Sequence, residues 1–473
     1  MSIMYDDSDP KSIENYAQKM VGKTFADLCD MQIENKTASR VSISTDYATS
    51  HADRKRKGGL GEIVEECFFG YKANSSPEAD FPKAGVELKV TPFKVNKKGE
   101  NVAKERLVIT MIDYFEDIKY EFYDSHLWKK AHKILLVYYQ YEQDKLNLSF
   151  VIKYTKLFTP DEVDLKIIQD DYNKIISKIK SGRAHELSEA DTLYLGACTK
   201  ATSSKDTREQ PYNDILAKPR AFSYKNSYMT YVLNHYIIAK SKPFERILSA
   251  PTNLEFEEYV TEQISKYSGY YIDGLCRKFN IEFNKAQKDL GSIVAYNILG
   301  VKGNKAEELV KANIVVKTIR LSENGKIKES MSFPAFKFKE LIEEEWETST
   351  FGTYLNETRF LFIVYQFDKN ERLFLKGCQF WNIPYHDLNV EVKSVWEKTK
   401  EVISEGLVIN RVNGRNYTNL PKASENPVCH VRPHARNAED TYDLPDGRKF
   451  PKQCFWLNNT YILSQLNDRL KIF

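Results

Sequence analysis

A chain of 473 residues is longer than one hydrophobic core ordinarily serves, so two domains are expected. Hydrophobic residues at 42% and charged residues at 29% are the make-up of a folded globular protein, and no low-complexity tract argues for disorder. A net charge of +3, from 69 basic and 66 acidic side chains, excludes a globally basic nucleic-acid binder while leaving room for local basic surfaces.

The polar, acidic start MSIMYDDSDPKS does not read as a secretory signal, and no apolar run is long enough to span a bilayer. Seven scattered cysteines without a CxxC pair suit reduced thiols. A soluble, cytoplasmic protein with no membrane partner is therefore expected.

In chain order, RKRK (54–57) reads as a solvated basic segment ahead of a helix at GEIVEECFFGY (61–71). Strands are predicted at GVELKV (85–90), ERLVITMI (105–112) and KILLVYYQY (133–141), all rich in branched and aromatic residues. A second helix covers 161–182 and stops at Gly182. The stretch 238–254 carries two prolines and no period, which marks a linker at 241–254 between domains 1–240 and 255–473. The fold class is mixed α/β (α+β).

The chain also repeats itself. LGEIVEECFFG (60–70) aligns with LGSIVAYNILG (290–300), AGVELKVTPF (84–93) with ANIVVKTIRL (312–321), and KERLVI (104–109) with KESMSF (328–333). Glu65, Asp80 and Glu87 become Ala295, Glu308 and Val315, whereas Lys89 is kept as Lys317. The second copy keeps a scaffold and loses acids.

On a strand, Glu87 and Lys89 project from one face while Val86, Leu88 and Val90 face the core. Pro82 and Gly85 permit a turn that returns Asp80 beside Glu87, so two carboxylates can share a hard cation such as Mg²⁺. Lys89 would then orient an attacking water, and Glu65 would hold a second ion or the water network. A bare Glu-x-Lys is a weak signal, since Glu391-Val-Lys393 has the same spacing with Pro384 where the acid should be. His430 and His434 near Cys429 and Cys454 suggest zinc only weakly, because Pro433 interrupts the helix that would present them. GxSxG, GxxxxGK[ST] and HExxH are absent from the sequence.

KGGLGEIVEECFFGY (57–71) followed by DFPKAGVELKVTPF (80–93) resembles the MutH family of GATC-specific endonucleases. The likeness continues through SHLWKKAHKILLV (125–137), GRAHELSEADTLYLGACTKA (182–201) and PRAFSYKNSYMT (219–230). The remaining length, with CHVRPHARN (429–437) and QCFWLNNTYI (453–462), resembles the type II restriction enzymes of that family that carry two tandem MutH-like domains. The resemblance implies two PD-(D/E)xK nuclease folds, the second catalytically degenerate.

It places the metal-binding acids on Asp80 and Glu87, the catalytic lysine on Lys89, the helix glutamate on Glu65 and a supporting lysine on Lys130, with Lys129 as the alternative register. The base-reading loop falls on Lys200 and a second reading segment on Ser223, within a run of cations that includes Arg220 and Lys225. In the second half it falls on Arg432, His434 and Asn437. The implied activity is Mg²⁺-dependent cleavage of both strands of duplex DNA at GATC, leaving 5′-phosphates, with a second domain that binds another copy of the site and with self-association on DNA as a further expectation. A mismatch-repair enzyme that nicks one strand, and a GATC-binding protein that does not cut, are the alternatives.

Overall fold

The computed structural model describes residues 5–35, 59–72, 78–96, 98–201, 203, 205–239, 242–412 and 415–471. RKRK (54–57) lies outside them. By their contacts the residues form two units, one of 1–244, 248–252 and 310–312, the other of 245–247, 253–309 and 313–473.

In the first unit, α1 (Gly59–Ile63) widens into a π-helical turn over Val64–Phe69 and ends on Gly70 at φ 79°. Its apolar side, Ile63, Val64, Cys67 and Phe68, packs into a core with Val86, Leu88, Leu135 and Val137. The main sheet holds β1 (Glu87–Val95), β2 (Asn101–Ala103), β4 (Ile134–Gln140) and β5 (Val151–Phe158) in the order β2-β1-β4-β5; β3 (Leu107–Met111) lies elsewhere. β4 follows α2 (His126–Ala131) and runs parallel to β1, pairing Glu87 with Ile134 and Lys89 with Leu136. Its unbroken apolar run is buried, as a central strand requires.

α3 (Glu162–Lys180) starts on the Asp161 cap and ends just before Gly182 at φ 70°, as the sequence predicts. The second sheet is β3-β7-β6, from β6 (Leu195–Thr199) and β7 (Arg220–Tyr224), and α4 (Asn226–Tyr231) follows directly.

The second unit repeats both sheets. After α5 (Leu290–Ile298) comes β8 (Ile314–Leu321), then β9 (Met331–Ser332), α6 (Thr350–Glu357), β10 (Arg359–Phe367) and β11 (Leu373–Trp381). β8 is parallel to β10 and β10 antiparallel to β11, the arrangement of β1, β4 and β5. A sheet of β9 with β12 (Cys429–Pro433) and β13 (Gln453–Leu457) again puts its last strand in the middle. Even the helix caps recur: Ser125 accepts from Trp128 N–H and donates to Phe122 O, and Ser349 accepts from Gly352 N–H and donates to Trp346 O. The class is mixed α+β, with the same pair of sheets in each unit.

Among the described residues no helix is long and apolar enough to cross a membrane. All seven cysteines are buried.

Candidate active site

Residues 80–87 form a tight return. Phe81 and Val86 exchange backbone hydrogen bonds of 2.9 and 3.2 Å around Pro82–Gly85, and Gly85 sits at φ 62°. A Cβ at this glycine would stand 2.9 Å from His132 Nε2, so both backbone angle and space demand glycine. The turn carries Asp80 back along β1, where its Oδ2 accepts from Leu88 N–H at 2.8 Å.

Glu87 is 1% exposed. Lys89 Nζ donates to its Oε1 at 2.7 Å, the same-face relation expected of residues two apart on a strand. Lys130, from the last turn of α2, places Nζ 3.3 Å from both Glu87 oxygens, while Lys129 points to solvent. Of the two adjacent lysines, Lys130 is the one that faces Glu87.

Glu65 lies in the π-turn, and its carboxyl is pushed up to about 7 by burial and then by Asp80, with Lys89 opposing. Asp80 is raised by burial and by Glu87, against the pull of Leu88 N–H, Lys89 and Lys130. Sequence reading missed Tyr71. Its hydroxyl is buried without a hydrogen-bond partner among the described residues, and Asp80 and Glu65 raise its pKa further beyond the effect of burial. Only a polar residue one turn past a glutamate helix marked it in the sequence.

Burial, and after it the charge of Asp80 on Glu65 and of Glu87 on Asp80, raises two carboxyls of this oxygen-rich set, and a divalent cation would relieve that repulsion. The donors therefore fit a hard divalent metal. The matching Glu391 and Lys393 do not form such a pair: they lie on a helix, and Glu391 accepts from Asn426 Nδ2 at 2.9 Å.

Of the expected DNA-contacting residues, Lys200 is exposed just beyond β6, and Arg220 donates to Ala197 O at 2.8 Å from the half-buried start of β7. Ser223 and Lys225, the other two expected contacts, are buried: Ser223 is 1% exposed on β7, the central strand of its sheet, and Lys225, just past that strand, is 5% exposed. Lys225 Nζ donates to Thr192 O and stands near Asp171, whose carboxylate accepts from the N–H groups of Leu193, Tyr194 and Leu195. Lys225 thus positions the loop before β6 from beneath.

In the second unit Arg432 and His434 are exposed and gather at Trp456, the arginine 4.8 Å over the ring and the histidine ring 5.8 Å away. Trp456 is the fourth residue of β13, as Ser223 is of β7. Asn437 is exposed and its Oδ1 accepts from Asp440 N–H. His430 is buried on Asn458, so it and the exposed His434 do not converge as a zinc pair.

The family model described as DNA mismatch repair enzyme MutH matches residues 69–171, a span that includes Asp80, Glu87, Lys89 and Lys130. The type II restriction enzyme Sau3AI of Staphylococcus aureus is 36% identical over 462 residues, covering 88% of this chain and 94% of that protein. The chain belongs to the MutH-related type II restriction enzymes. DNA mismatch repair protein MutH of Shewanella sp. (strain MR-7) is 27% identical over 186 residues, 38% of this chain and 81% of its own. MutH of Shewanella baltica (strain OS185) gives the same identity and coverage. The restriction enzyme therefore pairs a MutH-like unit with a second half that the repair proteins' matched length does not reach. It is a site-specific deoxyribonuclease.

Proposed function

We propose that this restriction enzyme hydrolyses both strands of duplex DNA at GATC with Mg²⁺, through Asp80, Glu87, Lys89, Lys130 and Glu65 of the first unit. The observation that carries the reading is the Glu87 carboxylate, buried beside Asp80 and contacted by two lysines that arrive from different elements.

Asp80 and Glu87 would hold the ion. When bound, Mg²⁺ supplies positive charge against the phosphodiester and promotes deprotonation of the attacking water. Lys89 is close enough to orient that water, and Lys130 balances the charge that Glu87 carries in a buried setting. Glu65 holds or accepts a proton at the edge of the cluster. In-line attack forms a bond from phosphorus to the water oxygen and breaks the bond to the 3′ oxygen, which leaves a 5′-phosphate.

Lys200 and Arg220 serve the groove of the first unit, and Arg432, His434 and Asn437 that of the second, where a further GATC copy would bind. Self-association on DNA and a cytoplasmic setting belong to the same reading.

Plasmids with and without methylated GATC, digested with Mg²⁺, test it. Wild-type protein should linearise unmodified plasmid, and Glu87→Ala and Asp80→Ala should each slow cutting by at least ~10³-fold. Wild-type protein that only nicks, or leaves the plasmid intact, defeats the proposal.

A further inference from the structure

The second unit keeps the lysine of the nuclease strand and has lost what neutralises it. Val315 stands where β1 has Glu87, and Tyr354 stands where α2 has Lys130, each five residues beyond the matching cap serine. Ala295 replaces Glu65. Glu308, the counterpart of Asp80, is 1% exposed and spends its carboxylate on Ile247 N–H at 3.0 Å.

Lys317 therefore has no carboxylate partner among the described residues; its Nζ lies 5.8 Å from the centre of the Phe333 ring. Burial lowers its pKa. It lines a cavity of about 540 Å³ together with Lys288, Arg320 and Lys328, against a single acid, Glu329. Arg320 also donates to Lys288 O at 3.1 Å, which ties two of the cations to one wall.

We propose that this cleft is a phosphate-binding site that seats a backbone phosphodiester of duplex DNA without a metal ion, with Lys317 at its floor and Lys288, Arg320 and Lys328 at its rim. The inference rests on the reading that the second unit engages DNA, and it adds where and by what chemistry. A half-buried cation without an anion gains most from a ligand that brings one. In the first unit, three acids repel a backbone phosphate until a cation intervenes. In the second unit that repulsion has been removed, so metal-free binding should depend on it.

The test is fluorescence anisotropy of the full chain with a labelled GATC duplex in EDTA, over a range of salt. Lys317→Gln and the exposed Lys288→Ala should each weaken binding roughly tenfold and lower the slope of log affinity against log salt by about one. Unchanged affinity and slope in both variants, with urea midpoints matching wild type, would overturn the proposal. So would inorganic phosphate raising the melting temperature of wild type but not of Lys317→Gln while DNA affinity stays equal, since the cleft would then take free anions only. Plasmid cleavage with Mg²⁺ by wild type, run in parallel, separates the failures: intact cutting with unchanged binding sinks this inference alone, whereas absent cutting sinks the proposed nuclease function.

Discussion

Lys130 Nζ stands 3.3 Å from each oxygen of the Glu87 carboxylate, although 43 residues separate them in the chain. The parallel pairing of β1 with β4 brings this about, because α2 ends just before β4 starts and so delivers its last turn to the head of β1. Lys130→Met should lower the single-turnover cleavage rate by about 10²-fold. Lys129→Met, one residue away and exposed, should stay within about threefold of wild type. Equal losses from the two would remove Lys130 from the cluster.

Glu65 offers a pH test in the metal-free protein. Its folded pKa of about 7 lies above the ordinary 4.5, so the folded state binds the proton more tightly than the unfolded state. Its favourable contribution is complete below pH about 4.5, fades as pH rises towards about 7 and is absent above. Glu65→Gln, which does not titrate, should therefore gain stability relative to wild type between pH 5 and 8. After allowance for solvent screening the gain is on the order of 1–2 kcal/mol. Urea unfolding in EDTA at the two pH values measures it.

Tyr71→Phe separates fold from site. The hydroxyl makes no hydrogen bond among the described residues, so its removal should change metal-free stability by less than about 1 kcal/mol. If the hydroxyl orders water near Asp80 and Glu65, the same change should raise the Mg²⁺ concentration for half-maximal cleavage about tenfold. A titration that overlays wild type would leave Tyr71 as packing.

Gly85→Ala should cost about 1–3 kcal/mol, since a left-handed backbone and the His132 ring both oppose a methyl group. The second substitution His132→Ala should recover part of that loss in urea unfolding. The remainder reports the φ of 62°.

Lys225 and Lys200 should behave oppositely. Lys225→Met removes the cation near the buried Asp171 and should destabilise by about 2–4 kcal/mol. Lys200→Ala, at an exposed loop, should leave stability within about 0.5 kcal/mol and reduce DNA affinity in a salt-dependent manner. Thermal melts and anisotropy on the same preparations distinguish them.

Much of the catalytic half was legible in the sequence for a physical reason. Alternation on VELKV fixes which residues share a face, and a proline and a glycine at fixed offsets compel the turn at 82–85. Lys130 could be nominated only by family resemblance, because its approach to Glu87 depends on strand order. The burial of Ser223 and Lys225 was hidden for the same reason: β3 and β6, which flank β7 on both sides, come from other parts of the chain. Trp456 was missed because its partners Arg432 and His434 lie across a sheet.

The paired serine caps at 125 and 349 have a wider meaning. Both copies hold the same helix start and the same neighbouring strands, yet one has given up the acids at positions 65 and 87 and lines its cleft mainly with cations. The architecture is therefore independent of the charges it displays. Nature has already performed the substitution series in one polypeptide, and a designer could rewrite either cleft without redesigning the frame around it.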